Sequence, residues 1–270
     1  MKRTKHIVWM ALLPLAVMAS VAGADFKVTF DFETGWSGDY APGWENSAYR
    51  HGQAPVGKMM QQTTLAHSGS YGMQLIADSV PQPWMWWAAV NPVDVSPYAM
   101  QKQFDPWVSV WYYDLSEDVP GQIYAVPSWV NLYITGSEDW TDVQFGGRFN
   151  VTDHYYYVAA GENSLGWQDT SVARSQGWHQ LKMQLSSVDG RIHFYLDGVE
   201  VGTSYRNDYT DLGSEIGLYT MFQAPLSSWV EKPYTIWDDF EYGSKVPVPG
   251  AVLLGVLGLS VAGVRLRRRS

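Results

Sequence analysis

The sequence contains no cysteine, few basic residues outside its two ends and no convincing long amphipathic helix. Because the chain has no cysteine and no close pair of histidines, its sequence does not indicate a zinc site. No Gly-rich phosphate loop follows a strand, and no G-x-S-x-G elbow is present. These absences disfavour the enzyme classes that depend on a zinc site, a phosphate-binding loop or a G-x-S-x-G elbow. A domain of this size can dispense with disulfides if its core is large or if bound metal ties distant segments together.

Charge is distributed unequally along the chain. All 27 Asp and Glu lie within residues 25–245, together with only eleven of the 18 Lys and Arg, which gives this segment a net charge of −16. A field of that sign repels nucleic acid and anionic membrane surfaces. The composition therefore favours neutral glycans, cations or basic partners, and it argues against nucleic acid.

The N-terminus has the pattern of a secretory signal peptide. Three basic residues among the first five precede an apolar stretch from Ile7 to Val21, and small residues follow up to Ala24. This order predicts a signal peptide over residues 1–24, cleaved after Ala24, and hence export. The alternative is an N-terminal membrane helix.

The last 25 residues, 246–270, combine an apolar run with terminal arginines. A helix over the uncharged stretch from Val246 to Val264 would span about 28 Å, close to a bilayer core of about 30 Å. Because Pro247 and Pro249 disturb its first turn, we expect the membrane helix at residues 249–264. By the positive-inside rule the C-terminus stays cytoplasmic. The arginines responsible are Arg265, Arg267, Arg268 and Arg269.

This tail resembles the PEP-CTERM sorting signal of bacteria that make extracellular polysaccharide. The shared features are the prolines Pro247 and Pro249, a glycine-spotted apolar helix and the arginine cluster, although Val248 stands where the family usually has glutamate. The resemblance implies recognition and cleavage by an integral-membrane exosortase. It also implies an envelope or extracellular location, with transient or permanent anchoring in the inner membrane. A plain C-terminal anchor is the alternative.

Residues 25–245 read as one all-β domain between these ends. Short runs rich in aromatic and β-branched residues alternate with clusters of Gly, Pro, Asn and Asp. About a dozen strands at roughly ten-residue spacing predict a two-sheet antiparallel sandwich or a barrel. The predicted strands are 27–32, 70–77, 85–90, 107–113, 129–134, 143–150, 154–159, 178–185, 191–196, 199–205, 215–220 and 234–242.

The clearest local signal is the stretch GWHQLKMQLSSVDGRIHFYLDGVEVGTS, from Gly177 to Ser204. Its two Asp-Gly dipeptides separate alternating segments and predict a three-stranded meander. The strand and turn FYLDG, with the strand that follows, resemble a motif of the concanavalin A-like jelly roll of laminin-G-like and lectin/glucanase domains. The stretch HSGSYGMQL, from His67 to Leu75, resembles another motif of that fold. The resemblance implies an antiparallel jelly-roll sandwich and supports the fold rather than any single activity.

Acidic motifs stand at both ends of the domain, FDFETGW from Phe30 and TIWDDFEYG from Thr235. The first and last strands of a jelly roll are commonly neighbours, so these carboxylates could converge, and hard oxygen ligands suit Ca²⁺. The arrangement resembles the structural calcium site of jelly-roll carbohydrate-binding modules. This resemblance implies Glu33 and Asp239 as the calcium ligands. The alternative is that the acids protect an exposed strand edge from aggregation.

Aromatic residues are abundant, with 14 Trp and 17 Tyr. Neighbouring strand residues point to opposite faces, so adjacent rings cannot all lie in the core. An exposed ring can stack on the C–H face of a sugar. The candidate ligand-binding rings, which lie beside Gly, Asp or Ser, are Trp36, Trp44, Trp140 and Trp167. For any single ring, burial in a thick core is the alternative.

Catalytic motifs of related glucanases and lyases are incomplete. The stretch EDWTD, from Glu138 to Asp142, has Trp140 where a Glu-x-Asp-x-Glu strand has its central acid. The pair His179-Gln180 reverses the order that alginate lyases need, and the strand histidines are expected to be structural. We therefore expect an exported, non-catalytic, lectin-like glycan-binding domain, held at the envelope or matrix by its tail. A ligand-free structural protein and a divergent glycoside hydrolase or polysaccharide lyase are the alternatives.

Overall fold

The computed structural model describes residues 24–34, 36, 40–46, 60–76, 78–79, 85–92, 100–114, 129–135, 143–148, 151–159, 166–212, 215–223 and 234–246. By its contacts the chain divides into two units. The larger unit is Lys27–Ser244, and the smaller combines Met1–Phe26 with Lys245–Ser270. In the smaller unit the described residues are 24–26 and 245–246.

The protein is an all-β jelly roll of two antiparallel sheets, which confirms the fold predicted from the sequence. The strands of sheet A, in spatial order and numbered along the chain, are β14 (Val199–Thr203), β13 (Ile192–Leu196), β12 (Gly177–Leu185), β7 (Trp107–Asp114), β16 (Tyr234–Val246), β4 (Gly72–Ile76) and β3 (Met60–Thr63), with β1 (Ala24–Phe30) paired to β16. The first and last described strands are therefore neighbours.

Sheet B has the same size and is built mainly from the middle of the chain. Its strands, in spatial order, are β11 (Gln168–Ala173), β10 (Val151–Val158), β9 (Val143–Arg148), β8 (Trp129–Thr135), β15 (Glu215–Gln223), β6 (Met85–Pro92) and β2 (Trp44–Asn46), with β5 (Asp78–Ser79) paired to β6. A short 3₁₀ helix, Lys102–Phe104, precedes β7.

Every strand predicted from the sequence is present, and the structure adds β2, β3, β5 and β11. The added strands are short or polar; β3 reads MQQT and β11 reads QDTSVA. Such sequences carry no apolar alternation that would mark them as strands. They form because a neighbouring strand supplies the hydrogen-bond partners, as β4 does for β3 and β10 does for β11.

The core lies between the sheets and follows the two-residue period of the strands. From Leu181 to the end of β12 every second residue is fully buried, namely Leu181, Met183 and Leu185, and β13 aligns Phe194 opposite Met183. The Phe194 ring reaches across to sheet B, where it lies 4.4 Å from the Tyr157 ring. Alternating apolar residues therefore place one face of each sheet in the core.

The meander predicted from the Asp-Gly dipeptides is confirmed as β12, β13 and β14. Asp197 and Gly198 both have positive φ, 51° and 78°, which is the conformation of a two-residue hairpin turn of type I′. At the other turn a Cβ on Gly190 would lie 2.1 Å from the Asn207 carbonyl oxygen. Only glycine fits there, so this dipeptide is required by a close backbone approach as well as by its turn.

A buried polar cluster ties the two sheets together at one end of the sandwich. Arg174, in the link between β11 and β12, donates from Nε and Nη2 to the two carboxylate oxygens of Asp114, at 2.8 and 2.7 Å. The Tyr155 hydroxyl on β10 donates to the same carboxylate at 2.9 Å. Burial raises the pKa of the Tyr155 phenol and of the Tyr112 phenol beside it. Both tyrosines therefore stay neutral and act as hydrogen-bonding partners.

Removing one member of this ion pair should be more damaging than removing both. The Arg174 and Asp114 side chains are 2% and 0% exposed, so Arg174→Met or Asp114→Leu leaves a buried charge unpaired and should cost about 3–5 kcal/mol. The double variant removes both charges and should lose clearly less than the sum of the two single losses. Urea unfolding of the four proteins measures this coupling. Additive losses would show that the pair does not act as a unit.

Candidate functional site

The two acids predicted to share a site both bind one loop, residues 65–71, which we call the anchored loop. Glu33 follows β1, and its Oε1 accepts hydrogen bonds from the backbone N–H groups of Ser70 and Tyr71, at 2.7 and 2.8 Å. A Cβ on Gly69 would lie 2.2 Å from that oxygen, so glycine lets the carboxylate approach the loop. Glu33 thus serves as the acceptor for one end of the loop.

Asp239 binds the other end of the anchored loop. It lies at a bulge in β16 and has a positive φ of 45°. Its Oδ2 is 2.8 Å from Nδ1 of His67, and its Oδ1 accepts from the Ser68 hydroxyl at 2.8 Å. Among the described residues, no three His, Cys, Asp or Glu side chains are grouped to hold a metal ion. The calcium site at Glu33 and Asp239 remains a prediction from the sequence.

Glu33 allows the loop-anchoring role and the calcium prediction to be tested together. Glu33→Ala removes the acceptor of two backbone N–H groups and should cost about 1–3 kcal/mol of unfolding free energy. Glu33→Gln keeps one acceptor oxygen and should cost less. If calcium also binds there, EDTA should lower the melting temperature of the unmodified protein and leave that of Glu33→Gln unchanged. Asp208→Asn, on another surface, is the matched control.

Two outcomes would count against these roles. A Glu33→Ala variant as stable as the unmodified protein contradicts the anchoring role. A melting temperature that is indifferent to chelator in the unmodified protein contradicts the calcium prediction.

Asp238, next to the bulge, is fully buried on the outer side of sheet A. Its Oδ2 accepts from the backbone N–H groups of His67 and Ser68, at 2.8 and 3.1 Å, and its Oδ1 accepts from the N–H of Asp239 at 2.8 Å. Burial raises the pKa of the Asp238 carboxyl to about 6. The three N–H donors favour the charged form and lower the pKa, but burial has the larger effect. The Asp238 carboxyl therefore binds the backbone of the same two loop residues whose side chains contact Asp239.

A raised pKa makes the contribution of Asp238 to stability fall as the pH rises. The unfolded chain ionises this carboxyl near the ordinary Asp value of about 4, whereas the folded protein ionises it at about 6. Between pH 4 and pH 7 the unmodified protein should therefore lose stability relative to Asp238→Asn, by at most about 3 kcal/mol. Unfolding free energies of both proteins at the two pH values check this. A difference that does not change with pH contradicts it.

The anchored loop carries a ring onto the outer face of sheet A, where four aromatic side chains form a contiguous group, here called the outer ring cluster. It consists of His67, Trp111, Tyr113 and Trp178. The His67 and Trp111 rings stack in parallel with centroids 3.7 Å apart. Trp178 meets His67 edge-on at 5.7 Å and Tyr113 edge-on at 5.3 Å. All four side chains lie at the surface and are partly exposed.

Amide side chains share the rows of the sheet that carry these rings. One row runs Gln61, Gln74, Ile236, Tyr113 and Trp178 across five strands, and the next contains Asp238, Trp111 and Gln180. A parallel strip further along the same face places Lys182 between the rings of Trp107 and Tyr195, at 5.3 and 5.5 Å. This face therefore offers apolar ring surface beside hydrogen-bonding amides.

The rings that the sequence nominated as ligand-binding do not form this cluster. Trp44 is 4% exposed and packs edge-on against Phe240 at 4.9 Å, which is the environment of a core residue rather than of the predicted exposed ring. Trp36 is partly buried and its indole N–H donates to the Phe32 carbonyl at 3.3 Å. Trp167 is partly exposed beside β11. Trp140 lies outside the described residues.

The outer ring cluster was missed because the sequence identified its strands without showing which face each ring occupies. Trp111 and Tyr113 are two residues apart in β7, and Trp178 pairs with Tyr113 in register. Alternation along β7 puts Trp111 and Tyr113 on one face, opposite to Tyr112 in the core. Once β7 and β12 are taken as neighbours, the cluster follows from the spacing.

Several predicted features fall outside the described residues. They are the signal peptide, the membrane helix, the sorting-motif residues Pro247, Pro249, Arg265, Arg267, Arg268 and Arg269, and the incomplete acidic motif from Glu138 to Asp142. Within the ranges that are described, no helix has the length and hydropathy of a membrane span. Export, sorting by an exosortase and membrane anchoring remain predictions.

Comparison of the sequence with protein-family models finds no match, and neither does comparison with curated proteins. The fold does match solved structures. An endo-acting O-glycanase expressed by members of the human gut microbiota to initiate mucin breakdown is 13% identical, with a TM-score of 0.51 over 81% of this chain and 98% of that one. A carbohydrate esterase from bacteriophage phi24B is 10% identical, with a TM-score of 0.48 over 83% and 100%. The β-glucanase of Bacillus licheniformis is 11% identical, with a TM-score of 0.43 over 80% and 97%.

These comparisons correct one expectation drawn from the sequence. The prediction of a domain without catalytic activity is contradicted, because a solved structure with this fold is an endo-acting O-glycanase. At 10% to 13% identity the likeness shows the fold alone, so it transfers no substrate and no catalytic residue to this chain.

Proposed function

We propose that this protein is a glycan-processing protein that holds a carbohydrate polymer on the outer ring cluster of sheet A. The observation that carries the proposal is the cluster itself, in which partly exposed rings stand beside amide groups on one face of the sheet. Rings present apolar surface to the C–H face of a sugar, and amides bond its hydroxyl groups. The likeness to the O-glycanase supports the carbohydrate class.

The rings are held in place before any ligand arrives. Trp178 is fixed by edge contacts on two sides, and the His67 ring is fixed by Asp239 through Nδ1. A surface that is already ordered loses little conformational entropy when it binds. The net charge of −16 over residues 25–245 favours a neutral polymer, because an acidic one would be repelled.

The carboxylates beside the cluster are not proposed as a glycosidase pair. Asp238 and Asp239 are hydrogen-bonded to the anchored loop, so they position the surface rather than reach a glycosidic oxygen. Strand β9 reads VQFGGR and carries no acid. A glycosidase needs two carboxyl groups on either side of the scissile bond.

The export and sorting signals predicted from the sequence would bring the protein to polysaccharide at the envelope.

Ring removal tests the proposed polymer surface. Affinity electrophoresis of the full-length protein in gels that contain neutral polysaccharides should show retardation by at least one of them. Trp178→Ala should weaken that retention roughly tenfold, and Trp178→Phe should restore part of it because a ring remains. The control is Tyr205→Ala, which removes an exposed ring just after β14, outside the outer ring cluster. This variant should bind normally.

The stability of each variant must be measured by thermal unfolding, since Trp178 is partly buried. Unchanged retention by a folded Trp178→Ala variant contradicts the assignment of this face. Absence of retention and of chemical change for every polysaccharide tested contradicts the proposed function.

A further inference from the structure

We propose that Ser175, His179 and Asp197 form a nucleophile–base–orienting triad that hydrolyses esters. The Ser175 hydroxyl oxygen is 3.1 Å from Nε2 of His179, and Nδ1 of His179 is 2.8 Å from Oδ2 of Asp197. These two contacts are the relations that an activated serine needs, with the hydroxyl on one ring nitrogen and a carboxylate on the other. Ser175 is exposed, as a nucleophile must be.

Each member of the triad is fixed by the backbone around it. Asp197 lies in the type I′ turn between β13 and β14, where its Oδ1 accepts from the N–H of Gln180 at 2.7 Å and its own N–H donates to the Gln180 carbonyl at 3.0 Å. The carboxylate is therefore tied to the residue that follows His179. Ser175 directly follows Arg174, whose buried contact with Asp114 holds that part of the chain.

A third contact of the histidine bears on its role as a base. Nε2 of His179 is also 2.9 Å from the backbone carbonyl oxygen of Ser175. With the neutral ring protonated at Nδ1 toward Asp197, Nε2 accepts the proton of the serine hydroxyl, and its contact with the carbonyl oxygen becomes attractive only after that transfer. Once Nε2 is protonated it can donate to that carbonyl. The carbonyl and the Asp197 carboxylate then both stabilise the positive charge that the ring acquires during attack.

The arrangement differs from the other histidine–carboxylate pairs among the described residues. His154 contacts Asp169 and His193 contacts Asp189 and Glu200, and no serine hydroxyl contact accompanies either ring. At His67 the nearby serine hydroxyl bonds to the carboxylate of Asp239. His179 thus combines a carboxylate on one nitrogen with a serine hydroxyl on the other, which a pair serving only to stabilise a strand does not require.

The reaction is an acyl transfer in two steps. The Ser175 oxygen attacks the ester carbonyl carbon while its proton passes to Nε2, and the carbon–oxygen bond to the alcohol breaks as that proton moves to the leaving oxygen. Water, deprotonated by the same nitrogen, then attacks the acyl-serine carbonyl carbon. The bond to Ser175 breaks as the proton passes from Nε2 to the Ser175 oxygen, and a carboxylic acid is released. The proposed substrate is an O-acyl group on a glycan hydroxyl, and this choice of alcohol rests on the proposed function.

Covalent labelling provides a direct test. A fluorophosphonate probe should label the full-length protein at Ser175, as located by peptide mass spectrometry. Ser175→Ala and His179→Ala should each abolish labelling and lower hydrolysis of p-nitrophenyl acetate at least 100-fold, and Asp197→Asn should lower kcat with little change in KM. His154→Ala, which removes a histidine of an ordinary carboxylate pair, should label and hydrolyse as the unmodified protein does.

The outcomes separate this inference from the proposed function. Lack of labelling at Ser175 in the folded protein, or equal hydrolysis by folded Ser175→Ala, overturns the triad. The ester probe needs no polysaccharide, so a protein that retains a polysaccharide without cleaving esters refutes the triad alone. A protein that cleaves the ester without retaining any polysaccharide keeps the triad and refutes the glycan as its substrate.

Discussion

The bidentate contact between Arg174 and Asp114 is the interaction on which the geometry of one whole end of the sandwich depends. It joins the last residue of β7 in sheet A to the link that leaves sheet B, and Tyr155 adds a bond from β10. A charge pair with almost no solvent exposure tolerates little displacement, because any separation leaves a desolvated charge without a partner. The segment that contains Ser175 is held by this constraint, and His179 lies beside the Tyr155 ring at 5.7 Å.

The opposite ends of the domain are joined by a similar physical device, carboxylates that accept backbone N–H groups. Glu33, close after β1, and Asp238, in the first half of β16, bind adjacent parts of the anchored loop. Asp239, which the sequence associates with calcium together with Glu33, also holds the His67 ring that stacks on Trp111. Metal binding and loop anchoring are compatible only if the ion uses oxygen lone pairs that the loop leaves free, since each carboxylate oxygen has more than one.

The sequence was sufficient for the fold because its strands carry strong local signals, but much weaker for the site. The turn at Asp197-Gly198 is set by residues that tolerate positive φ, so it could be read from a dipeptide. Whether a given tryptophan is buried or exposed depends instead on how the strands pair. Trp44 lies in a loop-like sequence and is nevertheless covered by Phe30, Phe32 and Phe240. The position of Ser175 next to His179 depends on a link between sheets, where no periodicity indicates the direction of a side chain.

Strand β12 carries one residue of the outer ring cluster and one residue of the proposed triad. Its geometry limits which bonds of a bound polymer can come near the triad. Trp178 and His179 are consecutive, so they point to opposite sides of sheet A, the tryptophan outward and the histidine toward Tyr155 between the sheets. A polymer lying on the rings cannot bring its own backbone bonds to the histidine through the sheet. Ser175, however, is exposed in the link before β12, at the end of the sheet. If the polymer surface and the triad are both correct, side groups of the polymer, rather than its main-chain bonds, are the expected substrates.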